Sequence, residues 1–521
     1  MYPVSIIRLA GDEPQMGRQH GEITRALGDY EDTLAFYPSL PDVILGAGHR
    51  SRTRRVLLEV MKPLMARGLA RLERARPEAL LARSRAFMEA LGQPAREAQN
   101  VLVMDLIQNT IGSLFRLGLA SDAGRLAASF PGACSSFAVW SESSEDGRLI
   151  HGRNFDLPGI GVWEKRPTVV FCSPRVGLRY GFVTTRGADA PGITGFNEAG
   201  LSICAHTRFH RNVSFEGRGV VDLSHLVLQR ASTIAEALQV ATEAKVASCW
   251  GLFLSSARER QAIAIEVHAG RVAVVSPPTR QTFHTCTNRM QSPVMQPGEI
   301  APSDAWVRYS DGRLAVLERS LARDRGLRPT DAMALLGSRE AGDVPGWERS
   351  TGDTLCQSIT IQSVVIDAEQ QRLWLGAGPA PASLGPWVEV PWQWGEPGST
   401  IVAPAAREID KMTVRPGFEH FMEAARLEGL HRSHEEVERA LTQAVAAAPE
   451  DPSYQHLAAG CALRAGRIAQ AREHLEAALA HERSPFRQHE LTAWIGRTKR
   501  PNARRAWRDL SVDFQLLTVS N

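Results

Sequence analysis

The sequence has little lysine, few cysteines and no long uninterrupted apolar run. Only five of its 60 basic residues are lysine, a bias that we attribute to GC-rich bacterial coding. The seven cysteines are an odd number, are widely spread and include no Cys-x-x-Cys pair, so no disulfide framework is predicted. His206 and His210 lie close in sequence, but no further ligand at a recognisable spacing joins them. Neither a metal nor any other cofactor is therefore predicted.

Charge and apolar patterning exclude further classes of protein. A net charge of +3 is small for 521 residues, so nucleic acid and anionic membranes are not predicted as partners. The most apolar stretch, residues 101–120, is interrupted by Asp105 and Arg116 among others, and we expect an amphipathic core helix there rather than a membrane span. The first residues lack a basic segment followed by an apolar one. No secretion signal is predicted, and a cytoplasmic location is expected.

Apolar spacing divides the chain into three stretches. After a short strand at 4–9, helical spacing dominates up to about residue 126. From Cys134 to about residue 390, short alternating blocks between turn residues are typical of strands, with helical patterns at 223–245 and 304–322. This order predicts an α+β sandwich with antiparallel sheets. The predicted domains are 1–133, 134–404 and 405–521, with the Pro-, Gly- and Trp-rich residues 391–404 as the second boundary.

The helical period returns from about Gly417, and the sequence repeats itself there. The first set of small or apolar positions is Val437, Leu441 and Ala444, and thirty-four positions later the second is Ala471, Leu475 and Ala478. This spacing resembles the tetratricopeptide repeat, whose helix pairs stack on one another. Only about two repeats are visible, so an ordinary helical hairpin is the alternative. A protein partner bound by this tail is one expectation.

Cys134 opens the strand-rich stretch, directly after a Pro-Gly-Ala break at 131–133. Arg153 and Asp156 fall at the end of a second strand, and the turn at 142–147 predicts that the two strands form a hairpin. A guanidinium and a carboxylate would then lie beside the cysteine. A nearby Arg lowers a thiol pKa and a carboxylate holds a cationic group, which suits a thiol nucleophile. The alternative is a structural cysteine near a surface ion pair.

Four motifs in register carry a resemblance to a known family. They are residues 131–140 (PGACSSFAVW), 152–156 (GRNFD), 195–201 (GFNEAGL) and 287–289 (TNR). In order and spacing they resemble the acyl-coenzyme A:6-aminopenicillanic acid acyltransferase family of N-terminal-nucleophile hydrolases, and more distantly the choloylglycine hydrolases. Residues 17–21 (GRQHG) are similar to the start of the family's propeptide, so the resemblance spans about residues 1–390.

The resemblance implies a four-layer αββα fold and an inactive precursor that cleaves itself between Ala133 and Cys134. The freed α-amine of Cys134 then serves as the general base for its own thiol. The resemblance also implies that Arg153 positions or polarises the thiolate, that Asp156 holds the protonated amine, and that Asn288 directs its amide at the amine or at the oxyanion. The implied substrate is a small-molecule acyl compound, with an acyl-thioester donor and an amine acceptor as one option.

Some positions depart from the family's pattern. Related enzymes carry a second oxyanion-hole Asn where this chain has Ala-His-Thr at 205–207, so His206, Thr207 or a backbone N–H is a candidate for that role. Asn197 is a candidate for substrate contact, although it is expected rather to shape a turn. Ala133 stands where glycine is usual, and its Cβ can slow the acyl shift. Asn288 has the alternative of capping a turn.

Two functions from different classes remain open. The first is a self-processing hydrolase or acyltransferase that passes through a thioester on Cys134. Hydrolysis and acyl transfer share that intermediate and differ only in whether water or an amine takes the acyl group. The second is a catalytically inert scaffold that binds a partner through its repeat-like tail.

Overall fold

The computed structural model describes residues 1–44, 52–118, 133–301, 304–403, 415–430, 433–499, 511–512 and 519–520. Within these ranges the chain forms fourteen α-helices, two large β-sheets and a small two-stranded ladder of Ser511–Val512 with Val519–Ser520. The predicted break at Pro131 and Gly132 lies outside the described residues. None of the described helices combines the length and apolar character that a bilayer span requires.

The strands of the two large sheets have the following bounds. In chain order they are β1 (Val4–Gly11), β2 (Ala133–Ser141), β3 (Gly147–Asp156), β4 (Pro167–Pro174), β5 (Tyr180–Thr185), β6 (Thr194–Asn197), β7 (Leu201–Thr207), β8 (Trp250–Ser256), β9 (Gln261–His268), β10 (Arg271–Val275), β11 (Phe283–Cys286), β12 (Thr360–Asp367), β13 (Arg372–Gly376), β14 (Trp387–Pro391) and β15 (Gly398–Val402). The larger sheet has the order β10-β9-β8-β7-β6-β5-β4-β1-β15, and the smaller one has the order β11-β2-β3-β12-β13-β14.

The helices fall before, between and after these strands. In chain order they are α1 (Glu13–Leu27), α2 (Glu31–Ile44), α3 (Arg52–Arg74), α4 (Glu78–Ala90), α5 (Val103–Arg116), α6 (Val220–Arg230), α7 (Ile234–Ala244), α8 (Asp304–Arg323), α9 (Pro329–Leu336), α10 (Phe418–Gly429), α11 (His434–Ala447), α12 (Pro452–Arg464), α13 (Ile468–His481) and α14 (Pro485–Thr498). Short 3-10 turns occupy Ala95–Leu102, Trp163–Lys165 and Ala382–Leu384.

The two sheets pack face to face, and helices cover their outer faces. Val169 and Phe196 of the larger sheet share one buried cluster with Ala138 and Val364 of the smaller sheet. Successive strand residues point to opposite faces, so the other side of each sheet needs its own cover. Helices α1, α6 and α7 provide it for the larger sheet, and α8 and α9 for the smaller one. The predicted α+β, four-layer αββα arrangement with a C-terminal helical region is confirmed.

The N-terminal segment is built into this sandwich. Strand β1 lies between β4, to which it is parallel, and β15, to which it is antiparallel. The motif at 17–21 lies on α1, where α4 packs against it. A Cβ at Gly17 would lie 2.2 Å from the carbonyl oxygen of Arg83, so only glycine allows α4 to approach α1 this closely. His20 bonds Asp189 at 3.1 Å.

Several local expectations need correction. Strand β15 forms within the predicted boundary region and pairs with β1. Its exposed, Ser- and Thr-containing sequence lacks the alternation that marks half-buried strands. The helical pattern at 223–245 is two helices, since Thr233 caps a new helix with its side chain. Helix α9 forms in a stretch for which no helical pattern was predicted.

The C-terminal helices α10 to α14 pack against one another and against the sandwich. All six repeat positions lie on α11 and α13 and are fully buried. Their cluster also contains Ile160, Ile359 and Ala380 of the sandwich. The apolar core of the tail is therefore continuous with that of the sandwich. The resemblance to tetratricopeptide repeats stays a prediction.

Candidate active site

Cys134 lies near the start of β2 and is held at three of its atoms. Its side chain is 2 % exposed. The Cys134 N–H donates to Asn288 Oδ1 at 2.9 Å, and its carbonyl oxygen accepts from Arg313 Nη1 at 2.6 Å. Arg153 Nη2 lies 3.5 Å from the Cys134 sulfur. Strand alternation puts this sulfur on the same face of β2 as Ala138, which packs between the sheets.

Arg153 and Asp156 reach the cysteine through the predicted hairpin. β2 pairs with β3 antiparallel, with Ser136 opposite Arg153 and Ala133 opposite Asp156. Asp156 therefore stands across the ladder from the residue that precedes Cys134. One oxygen of this carboxylate accepts from Thr360 Oγ1 at 2.6 Å. The other is buried and has no hydrogen-bond partner among the described residues, which leaves it able to accept from a new donor.

Four contacts fix the orientation of Asn288, which follows β11. Its N–H donates to Ser310 Oγ at 3.1 Å, and its Nδ2 donates to the carbonyl oxygen of Thr207 at 3.0 Å. Its Oδ1 accepts from Cys134 and from Arg313 Nη2, the latter at 2.8 Å. Because guanidinium groups only donate and carbonyl groups only accept, this pattern determines which end of the amide faces the cysteine. That end is the acceptor.

Arg313 is a site residue that the sequence did not indicate. It projects from α8, is 2 % exposed, and bonds Cys134, Asn288 and the Ser135 hydroxyl, the last at 2.9 Å. The chain has many arginines, and no local motif distinguishes this one. Burying a guanidinium is costly unless acceptors surround it. The three acceptors around Arg313 offset that cost and fix the side chain beside the cysteine.

The three other candidate residues from the sequence lie in different environments. His206 faces the space between the sheets, where Nε2 lies 2.9 Å from Ser136 Oγ. Thr207 orients Asn288 through its carbonyl oxygen. Asn197 bonds the carbonyl oxygens of Leu228 and Ala231 at 2.9 and 2.8 Å and accepts from N–H groups of its own turn, where Gly200 has a φ of 89°. The structure thus brings Asn197 to a turn and not to the cysteine.

Burial dominates the protonation of the site. It raises the pKa of the Cys134 thiol, and the nearby Arg153 offsets this only in part. Arg153 by itself lowers the pKa of the thiol, as expected, but the net shift of this pKa is upward. Burial also raises the pKa of Asp156 to about 6, against the lowering effects of Arg313 and Thr360. Burial, with Arg153, lowers the pKa of His206 well below its ordinary value, so this imidazole is neutral at pH 7.

A mainly apolar cavity adjoins the site. It encloses about 830 Å³, including its opening to solvent. Phe155, which pairs with Cys134 across the hairpin, and Thr207 both line it. Much of the rest of the wall comes from helices α2, α4 and α5 of the N-terminal segment and from the stretch after Gly187. Leu40, Phe155 and Cys134 belong to one buried cluster. Cys134 therefore lies in the same apolar core as part of the cavity wall.

Residues 142–379 match the family model of acyl-coenzyme A:6-aminopenicillanic acid acyltransferases. The match covers less than half of the chain and includes Arg153, Asp156, Asn288 and Arg313, while Cys134 precedes it. The resemblance seen in the sequence is confirmed over this range. No curated protein matches the chain.

Solved structures also resemble the chain. The Caenorhabditis elegans N-acylethanolamine-hydrolyzing acid amidase ortholog is 16% identical, with 45% of this chain and 93% of that chain covered and a TM-score of 0.34. A variant of conjugated bile acid hydrolase from Clostridium perfringens is 11% identical, with 53% and 100% covered and a TM-score of 0.35. A mutant of the same hydrolase is 12% identical, with 50% and 97% covered and a TM-score of 0.31.

Proposed function

We propose that this protein is a self-processing cysteine hydrolase or acyltransferase of the N-terminal-nucleophile type. The observation that supports this most is the unpartnered oxygen of Asp156, opposite the peptide bond between Ala133 and Cys134. A buried carboxylate oxygen without a donor is costly. Cleavage before Cys134 would create a cationic amine beside it and so supply the missing partner.

The maturation step balances as an acyl shift followed by hydrolysis. The Cys134 sulfur attacks the carbonyl carbon of Ala133 and the C–N bond breaks, while the thiol proton passes to the nitrogen. Water then cleaves the thioester, which leaves a carboxylate on Ala133 and a free thiol and amine on Cys134. Arg313 holds the carbonyl group on the other side of the cysteine and so keeps the residue in place.

Turnover would use the same thiol with the amine as its base. The new amine has an ordinary pKa of about 7.7 to 8.0, which suits proton transfer near neutral pH. Because Asn288 turns its oxygen toward Cys134, we assign it to accepting from this amine rather than to donating to an oxyanion. An acyl group would form a thioester on Cys134, and water or an amine would then take it.

The adjoining cavity would hold the acyl part of the substrate. Its wall is apolar over most of its area, with Asn100, Asp189 and Thr207 as exceptions, so burial of an alkyl or aryl chain is favourable. In a series of acyl p-nitroanilides, kcat/KM should rise with chain length until the cavity is full. Ala188→Trp should then reduce turnover of the longest substrates far more than that of the acetyl compound.

Intact-mass measurement of the purified protein tests the proposal. The wild type should separate into residues 1–133 and 134–521 on denaturation, and Cys134→Ala should stay one chain. Cys461→Ala, which removes an equally buried thiol in the tail, is the matched control and should be cleaved. Cys134→Ser should cleave slowly and turn over poorly, because an alcohol is a weaker nucleophile near neutral pH. A wild type that stays uncleaved and unacylated would favour the inert scaffold instead.

A further inference from the structure

Helix α8 lies at part of the surface where the tail meets the sandwich, and it also carries part of the candidate site. Ser310 and Arg313 are three residues apart, so they lie on neighbouring positions of one face of this helix. Ser310 accepts from the Asn288 N–H, and Arg313 bonds both Asn288 and Cys134. The placement of α8 therefore decides where these two groups sit.

The tail contacts α8 directly through the start of α14. Phe486 packs under the guanidinium of Arg308, whose carbon lies 4.6 Å from the ring centre, and it is a partly buried residue packed against the cluster that contains Cys134. Arg487 lies over the Tyr309 ring at 5.1 Å. These two contacts fall on the α8 residues that directly precede Ser310.

A second set of contacts connects the tail with α8 through residues 343–353. Arg349 bonds Glu482 of the tail at 3.2 Å and Asp353 at 3.3 Å, and all three side chains are nearly fully buried. Asp353 in turn presses against α8, since a Cβ at Gly312 would lie 2.6 Å from the Asp353 Cβ. Gly312 is the residue next to Arg313. Ser350 bonds Asp451 and Tyr454 of the tail at 3.1 and 3.2 Å and fixes the same segment.

We propose that the C-terminal helices position the active site, with Glu482 and Phe486 acting as positioning residues through α8. Neither residue is among those that line the cavity. Their effect would be to hold Arg313 and Ser310 where they orient Asn288 and the cysteine. A small misplacement of such groups lowers the rate of the chemical step more than it weakens binding. The inference rests on the proposed function for its kinetic consequence, but not for its structural one.

The test compares full-length variants at two places in the tail. Glu482→Gln and Phe486→Ala loosen the contacts to α8, and Phe486→Leu keeps most of the packing. Arg464→Met is the control, because it removes an ion pair with Glu428 that lies within the tail, away from α8. Hydrogen exchange of residues 304–323, the rate of self-cleavage, kcat and KM are measured for each protein.

We expect faster exchange in α8 and a kcat lower by roughly tenfold at similar KM for Glu482→Gln and Phe486→Ala. Phe486→Leu should restore most of kcat, and Arg464→Met should change neither the exchange of α8 nor kcat. Unchanged exchange and kcat in the first two variants, or equal changes in Arg464→Met, would overturn the proposal. A wild type without cleavage or turnover would refute the proposed function, while the exchange data would still decide whether the tail holds α8.

Discussion

The chain has a helical segment on each side of its strand-rich part, and the two segments join the sandwich in different ways. The N-terminal segment inserts β1 into the larger sheet and sends Arg83 into the core, where it bonds Asp189 at 2.7 and 2.8 Å. In the part of it that the structure describes, the C-terminal segment adds no strand to either large sheet and attaches through apolar packing and the ion pair of Glu482, among other contacts. The N-terminal attachment therefore includes backbone hydrogen bonds along a strand in addition to a buried ion pair.

This difference bears on the proposed cleavage before Cys134. After that cut, residues 1–133 would stay bound through a strand within a sheet and through part of the cavity wall. The tail would keep its place through the contacts with α8 and the sandwich. We expect the largest effect on stability at the N-terminal attachment and the smallest at the helix caps of the tail.

The largest effect is expected for Asp189→Asn. The substitution leaves the fully buried guanidinium of Arg83 without its main counter-charge, and breaking one partner of a buried ion pair costs about 4 kcal/mol. Urea unfolding should show this loss. Asp324→Asn, which removes an exposed partner of Arg323, should leave the urea midpoint unchanged. If Asp189→Asn unfolds at the wild-type midpoint, the buried charges do not anchor the N-terminal segment.

A somewhat smaller loss is expected for Leu475→Ala and for its repeat equivalent, Leu441→Ala. Both leucines are fully buried, and truncation should lower the free energy of unfolding by about 3 kcal/mol each. Because their cluster includes Ile359 and Ala380, the tail and the sandwich should unfold in one transition. A separate early transition in calorimetry would show that the tail is an independent unit after all.

Glu13 should make the N-terminal attachment sensitive to acid. Burial works to raise the pKa of this carboxyl, but His225 and Arg83 outweigh it and lower the pKa from its ordinary value of 4.5 to about 2. A carboxyl with a lowered pKa in the folded state stabilises the protein above pH 4.5, and this contribution fades as the pH falls toward 2. The contribution is roughly 3 kcal/mol. Between pH 6 and pH 2, the free energy of unfolding should fall less steeply for Glu13→Gln than for the wild type.

The smallest effects are expected at two helix caps of the tail. Ser433 accepts from Glu436 N at the start of α11, and Ser433→Ala should cost about 1 kcal/mol. Ser484 caps α14 and also donates to Asp343 of the sandwich, so Ser484→Ala should cost more. Equal urea midpoints for the two variants would mean that the bond to Asp343 adds no stability.

The parts of the fold that sequence predicted are those that local pattern determines. The β2–β3 hairpin follows from two alternating blocks and a turn whose Gly147 has a φ of 70°, and it alone puts Arg153 near Cys134. β15 was missed because it gains its strand form from pairing with β1, almost four hundred residues earlier in the chain. Tertiary pairing of this kind overrides weak local propensity.

The same distinction applies to the site. Asn288 was found through its Thr-Asn motif, whereas Arg313 lies on an amphipathic helix whose spacing carries no chemical information. His206 occupies the position of an expected polar group, and its Nε2 bonds the Ser136 hydroxyl between the sheets. Its role at the oxyanion stays a prediction.

The bond from Arg313 to the Cys134 carbonyl also sets an order of events during synthesis. Its two partners are 179 residues apart, and Asn288, which holds the Cys134 N–H, is 154 residues away. A ribosome must release most of the strand-rich stretch before either contact can form, and the tail emerges later still. If the proposed cleavage depends on these contacts, a nascent chain that has just exposed Cys134 would be protected from it by the absence of residues not yet made, without any separate inhibitor.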